Sequence, residues 1–162
     1  MIQRIQSLFL TGIFITMILS FFTTFWKATA IEKSTGISGN IELNALAIHF
    51  IPHGQATFES KGDTYYIAAL VLLIALTSMY ALLQYKNRRL QIKLSSLNYL
   101  LLSGLIGLFF LAIDKTKVIF ETSLITYSIG FYLPLIGIVM NFFALKYIKK
   151  DEELIRSVDR IR

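Results

Sequence analysis

The sequence predicts an all-α integral membrane protein in which four transmembrane helices form one bundle. Hydrophobic residues make up 55% of the chain, and the mean hydropathy is +0.62. Four long stretches contain no Asp, Glu, Lys or Arg, and the cations between them are distributed unequally. A water-soluble domain of 162 residues could not bury this much apolar surface, whereas a membrane protein exposes it to lipid.

The four charge-free stretches cover residues 5–26, 65–85, 94–113 and 122–145. Each has roughly 20 residues, which at ~1.5 Å per residue crosses a hydrocarbon core of ~30 Å. Because lipid offers the backbone no hydrogen-bond partners, we expect each stretch to be helical. Aromatic residues suited to the headgroup level lie near the span ends: Trp26, Tyr65, Tyr66, Tyr80, Tyr85, Tyr99 and Tyr147. Residues 1–148 are therefore predicted to form the membrane domain, followed by a tail at 149–162.

The distribution of cations predicts how the chain is threaded. The loop at 86–93 contains four cations and no acidic residue. With the amino terminus, this loop and all residues after 145 on one side, that side holds eleven of the 16 Lys and Arg residues. The positive-inside rule then places both termini in the cytoplasm.

A cleaved signal peptide is the alternative for the first apolar stretch. Arg4 precedes this stretch, and Ala28-Thr29-Ala30 after it resembles a cleavage site. Cleavage would leave three spans. The apolar stretch is, however, longer than the ~7–15 residues of a signal peptide, so we expect it to be retained as a span.

Small and polar residues within the spans predict how the helices pack. Membrane helices approach closely at small residues, and intramembrane amides hydrogen-bond between helices. Pro134 should kink the fourth span because it lacks a backbone donor. Asn98 and Asn141 are amides inside the third and fourth spans, and no span contains Asp, Glu, His, Lys or Arg. The residues predicted to lie at helix contacts are Gly12, Thr16, Ser20, Ser103, Gly107 and Pro134.

The connection at 27–64 is predicted to be extracytoplasmic and to contain a small β-hairpin. Residues 41–51 and 56–59 are the expected strands, with the turn at 52–54. A divalent metal site can be drawn from His49 and His53 with nearby acidic residues. Pro52 lies between the two histidines and disfavours the helix that this spacing needs, so solvated loop residues are the preferred interpretation.

The tail is predicted to be a short cytoplasmic amphipathic helix. Its apolar residues Leu154, Ile155, Val158 and Ile161 recur at helical spacing. Asp151 can cap a new helix, or the fourth span can simply continue. The near balance of cations and anions in the tail suits contact with a protein, while an interfacial anchor is the alternative.

No motif for catalysis or cofactor binding is present. The sequence lacks a Ser-His-Asp set, an HExxH motif, a P-loop and a GxGxxG fingerprint. We therefore expect no enzyme, no cofactor, no metal, no small-molecule substrate and no specific nucleic acid.

Three segments resemble a known family when they are taken together: residues 1–6, 85–91 and 149–162. They are similar to the "domain of unknown function 4293" family of Bacteroidota inner-membrane proteins, in order along the whole chain. The resemblance implies a compartment, the bacterial inner membrane, and a clade, but no reaction. All three segments lie on the predicted cytoplasmic side, which suggests that this side contacts a partner.

The preferred functional hypothesis is a non-enzymatic accessory or scaffold subunit of a larger inner-membrane complex. Its partners would be membrane lipid and other inner-membrane or cytoplasmic proteins. The alternative is a small transporter or channel, alone or as a homo-oligomer, in which the intramembrane amides line a path. The residues predicted to bind a partner are Lys86, Arg88, Arg89, Lys93, Asp151, Glu152, Glu153, Arg156, Asp159 and Arg160.

Overall fold

The computed structural model describes residues 3–53 and 59–159, which contain four long helices. They are α1 (Gln3–Phe22), α2 (Tyr65–Leu83), α3 (Arg88–Ile119) and α4 (Ile129–Asp159). Each is long and apolar enough to cross a membrane. α1 packs against α2 and α4, and α3 packs against the same two helices, so the four form a closed bundle. The prediction of four helices that are long and apolar enough to cross a membrane is confirmed.

A five-stranded antiparallel sheet covers one end of this bundle. Its strands are β1 (Trp26–Glu32), β2 (Ser38–Leu43), β3 (Ala47–Pro52), β4 (Glu59–Asp63) and β5 (Phe120–Tyr127). They lie in the order β4-β3-β2-β1-β5. Four strands come from the connection between α1 and α2, and β5 comes from the connection between α3 and α4. We refer to this end of the bundle as the sheet end.

Regular alternation along the strands explains how the sheet packs. β1 alternates buried and exposed residues along its whole length, as a sheet with one solvated face should. The rings of Phe50 on β3 and Phe120 on β5 lie 5.0 Å apart on the buried face. Phe25, just before β1, contacts Phe109 of α3 with ring centroids 4.4 Å apart. These aromatic contacts join the sheet to the helices in one core.

The structure corrects the predicted all-α class and two span boundaries. Residues 122–127, taken as the start of the fourth span, belong to β5, and the helix begins at Ile129. The first helix ends at Phe22, and Trp26, which was predicted at a span end, is buried at the start of β1. A charge-free stretch is compatible with both a span and a buried strand, and here pairing with β1 selects the strand.

The predicted hairpin is part of this larger sheet. The stretch at 41–51 is not one strand, because the chain reverses between β2 and β3, where Leu43 pairs with Ile48. β3 and β4 do form an antiparallel pair. The predicted turn residue Gly54 and most of the predicted strand 56–59 lie outside the described residues.

Residues predicted at helix contacts divide into two groups. A Cβ on Gly12 would lie 2.6 Å from Sδ of Met140, so α1 and α4 approach closely there. Thr16 and Ser20 are buried on the same helix, and Pro134 is buried inside α4. Ser103 and Gly107 are exposed instead, and a Cβ on Gly107 would meet nothing within 4 Å. The small-residue spacing in α3 therefore lies on an outward face.

Candidate functional site at the basic end of the bundle

Opposite the sheet, three helix ends are joined by buried polar groups. The amide Nε2 of Gln6 in α1 donates to the Asp151 carboxylate of α4 and to the Tyr147 carbonyl oxygen at 3.3 Å. Nη1 of Arg88 in α3 donates to the Asp151 carbonyl oxygen at 2.9 Å. Gln6 is 4% exposed and Asp151 is 5% exposed. A buried carboxylate needs a donor such as the Gln6 amide, so the Asp151 side chain joins α4 to α1. The backbone carbonyl of the same residue joins α4 to α3.

Exposed charges surround this buried cluster and define a surface that we call the basic end. Nε of Arg89 lies 3.6 Å from Oε1 of Glu152, and the Arg89 side chain is 77% exposed. An ion pair this exposed adds little stability, so Arg89 remains available to other anions. The other exposed charged residues here are Lys86, Lys93, Lys149, Lys150 and Glu153.

The structure brings the two predicted partner-binding segments together. Most of the predicted loop at 86–93 is helical, because α3 begins at Arg88. This segment and the tail from 149 lie at the same end, where Arg88 and Arg89 contact Asp151 and Glu152. The tail is the continuation of α4 as far as Asp159, which selects one of the two alternatives left by the sequence. The side chains of Arg156, Asp159 and Arg160 lie outside the described part of the chain.

Asp151 has a different role from the one expected of a surface residue. It was grouped with the exposed charges of the tail, but its burial leaves it as a structural contact between helices. Gln6 was not identified from the sequence at all. Its pairing with Asp151 joins residues 145 positions apart, and no local pattern indicates such a contact.

A second polar layer lies inside the bundle, between the basic end and the middle of the helices. Nδ2 of Asn98 donates to Oγ of Ser78 at 3.0 Å, and Oγ1 of Thr77 donates to Oδ1 of Asn98. Nδ2 of Asn141 donates to the Ser95 carbonyl oxygen at 2.8 Å. These bonds tie α2 to α3 and α3 to α4.

Two polar atoms of this layer have no hydrogen-bond partner among the described residues. They are Oδ1 of Asn141 and Oγ of Ser95, and both residues are fully buried. A buried acceptor beside a buried hydroxyl can hold a polar molecule such as water.

At the sheet end, the two histidines lie in and just after β3. His49 lies in β3, paired with Glu42 of β2, and His53 follows β3. Within residues 3–53 and 59–159, no group of three or more His, Cys, Asp or Glu residues is placed to hold a metal ion. Lys27 forms an ion pair with Glu42 at 2.7 Å, so the exposed sheet face carries a row of polar side chains.

The fold therefore defines a class of multi-span helical protein with a sheet at one end and a charged surface at the other. A family model described as "Domain of unknown function (DUF4293)" matches residues 2–161, and the chain belongs to this family. The match extends over the four helices and the sheet. No curated protein matches the chain.

Proposed function

We propose that this protein is a non-enzymatic accessory subunit of a bacterial inner-membrane complex, which it binds through the basic end. The observation that carries the proposal is the convergence of residues 86–93, at the start of α3, and the end of α4 on one surface. The family resemblance is compatible with an inner-membrane location and supplies no reaction. Membrane lipid and a protein are the proposed partners.

The geometry favours a fixed docking surface over a loose basic loop. Arg88 is held by the Asp151 carbonyl oxygen, and Asn87 caps α3 by accepting from the Leu90 backbone N–H at 3.2 Å. A surface whose backbone is already ordered loses less conformational entropy when a partner binds. The exposed charges around it include both signs, which suits a protein partner with complementary charges better than a uniformly anionic polymer.

The proposed orientation places the basic end in the cytoplasm. The exposed cations of residues 86–93 lie there together with Lys149 and Lys150. The sheet, with its ion-paired and polar outer face, would then lie on the opposite side of the membrane. The positive-inside rule supports this arrangement.

Copurification with matched variants tests the proposal. The tagged protein would be extracted from its native membrane in mild detergent, as wild type, as Lys86→Gln/Lys93→Gln and as Lys115→Gln/Lys117→Gln. Each variant loses two exposed cations, the first at the basic end and the second at the sheet end. We expect the first variant to lose a copurifying protein several-fold, because charge complementarity contributes to docking, and the second to retain it.

Two results would contradict the proposal. One is a wild-type protein that always purifies alone, and the other is equal loss of the copurifying protein in both variants. Thermal unfolding of both variants in detergent controls for stability, because none of the four substituted side chains is buried.

A small transporter or channel is the second candidate, and the unpartnered Asn141 and Ser95 atoms favour it. Proton and potassium flux would be measured in proteoliposomes containing wild type, Asn141→Leu, or Ser103→Ala as an outward-facing control. Flux that disappears only in Asn141→Leu would support transport. Absence of flux in the wild type would count against it for these two ions.

A further inference from the structure

A groove of about 510 Å³ lies where α2 and α3 meet the sheet end. Its lining consists of Tyr66, Leu108, Leu111, Asp114, Lys115 and Val118. The five α3 residues among them extend over ten positions, or about 15 Å at ~1.5 Å per residue. Most of this lining is apolar, and Leu111 and Val118 are exposed on the outside of the bundle. The groove therefore opens toward the surroundings of the bundle and not into its interior.

The charged residues of the groove lie at the depth expected for lipid headgroups. The charge-free part of α3, residues 94–113, is long enough to cross a ~30 Å hydrocarbon core, and Asp114 follows it directly. Leu108 and Leu111 then lie beside acyl chains, while Asp114 and Lys115 lie at the interface. Tyr66, near the start of α2, lies at the same level.

Among residues 3–53 and 59–159, Lys115 is the groove cation that has no carboxylate within ion-pair distance. The carboxylate of Asp114 lies 3.7 Å from Nζ of Lys117, so these two charges offset each other. Nζ of Lys115 lies 5.0 Å from the centre of the Tyr66 ring, which orients the ammonium without cancelling its charge. An occupant with an apolar chain and a single negative charge complements this combination.

We propose that this groove is a binding site for an anionic phospholipid of the phosphatidylglycerol type. One acyl chain lies along Leu108 and Leu111, and the phosphate diester contacts Lys115. A phosphatidylethanolamine molecule would bring an additional ammonium group next to Lys115 and Lys117, with the carboxylate of Asp114 already paired. The site depends on membrane insertion of the four helices and is independent of any partner at the basic end.

Photo-crosslinking tests the site at the level of individual peptides. Purified protein in vesicles would be exposed to phosphatidylglycerol or phosphatidylethanolamine bearing a diazirine in one acyl chain, and adducts would be mapped by mass spectrometry. Peptides containing Leu108 and Leu111 report on the groove. Peptides containing Leu76 and Val139, which are exposed on α2 and α4, report on ordinary surrounding lipid.

We expect groove adducts from phosphatidylglycerol to exceed those from phosphatidylethanolamine by about fivefold, because one cation at a membrane surface attracts an anionic headgroup by about this factor. Lys115→Gln should abolish this preference, and Lys115→Arg should retain it. Lys86→Gln, at the basic end, should leave groove labelling unchanged. This control distinguishes binding in the groove from attraction of headgroups to cations at the other end of the bundle. Equal labelling by the two lipids in the wild type, or a preference that survives Lys115→Gln, would overturn the proposal.

Discussion

Gly39 provides the sharpest test of the sheet, because the structure leaves no room for a side chain there. A Cβ at this position would lie 2.5 Å from the Ile51 carbonyl oxygen and 2.7 Å from the Phe50 ring. Neither group can retreat easily, since Ile51 belongs to the β3 backbone and Phe50 packs against Phe120. Overpacking of this kind costs about 1–3 kcal/mol, so Gly39→Ala should increase the opening equilibrium of β2 and β3 by about 5- to 150-fold.

Amide hydrogen exchange in detergent micelles measures this opening locally. Peptides that cover β2 and β3 should lose protection in Gly39→Ala, while peptides from the middle of α4 should not. Gly107→Ala is the matched control, because its Cβ would meet nothing within 4 Å and a helical alanine is favourable. Unchanged protection of β2 and β3 in Gly39→Ala would refute the close packing of these strands.

Three further predictions concern the bundle, the junction and the threading. Asn98→Leu should destabilise the bundle by about 1–2 kcal/mol in a denaturant titration in micelles, because the bonds to α2 are lost, and Ser103→Ala, on the outward face, should have no effect. Lys33→Met should lower the stability by about 0.5–1 kcal/mol, because the Lys33 ammonium donates to two carbonyl oxygens at the end of α3, and the loss should be smaller in high salt. A variant as stable as the wild type at both low and high salt would contradict this. The chain has no cysteine, so an impermeant thiol reagent applied to intact cells should label Thr35→Cys and not Glu153→Cys, and the reverse pattern would invert the proposed threading.

Much of the helical part of this fold follows from local sequence. The second span was predicted at 65–85 and is found at Tyr65–Leu83, because Tyr-rich ends and an uninterrupted apolar run leave no other stable structure in lipid. The third predicted span, 94–113, lies inside the longer α3, since a helix does not end where its apolar part ends. The helical conformation of residues 149–159 was also predicted, because it depends on the local spacing of apolar residues.

The candidate site was predictable in composition but not in geometry. Lys86, Arg89 and Lys93 were identified by their charge and are exposed, as a local pattern can indicate. The contact of Gln6 with Asp151 could not be predicted, because it depends on how α1 packs against α4. The same applies to the groove beside Lys115, where residues of α2 and α3 that are 49 positions apart form a single rim.

The sequence by itself determined that four apolar helices form and where most of their charges lie. The free energy gained when a long apolar segment leaves water depends on the residues of that segment and not on the rest of the chain. Only the tertiary structure decided that residues 120–127 form a strand and that Asp151 is buried. A strand needs hydrogen-bond partners for its backbone groups, and a buried carboxylate needs a donor. Residues distant in the chain supply them here, since β1 pairs with β5 and Gln6 donates to Asp151.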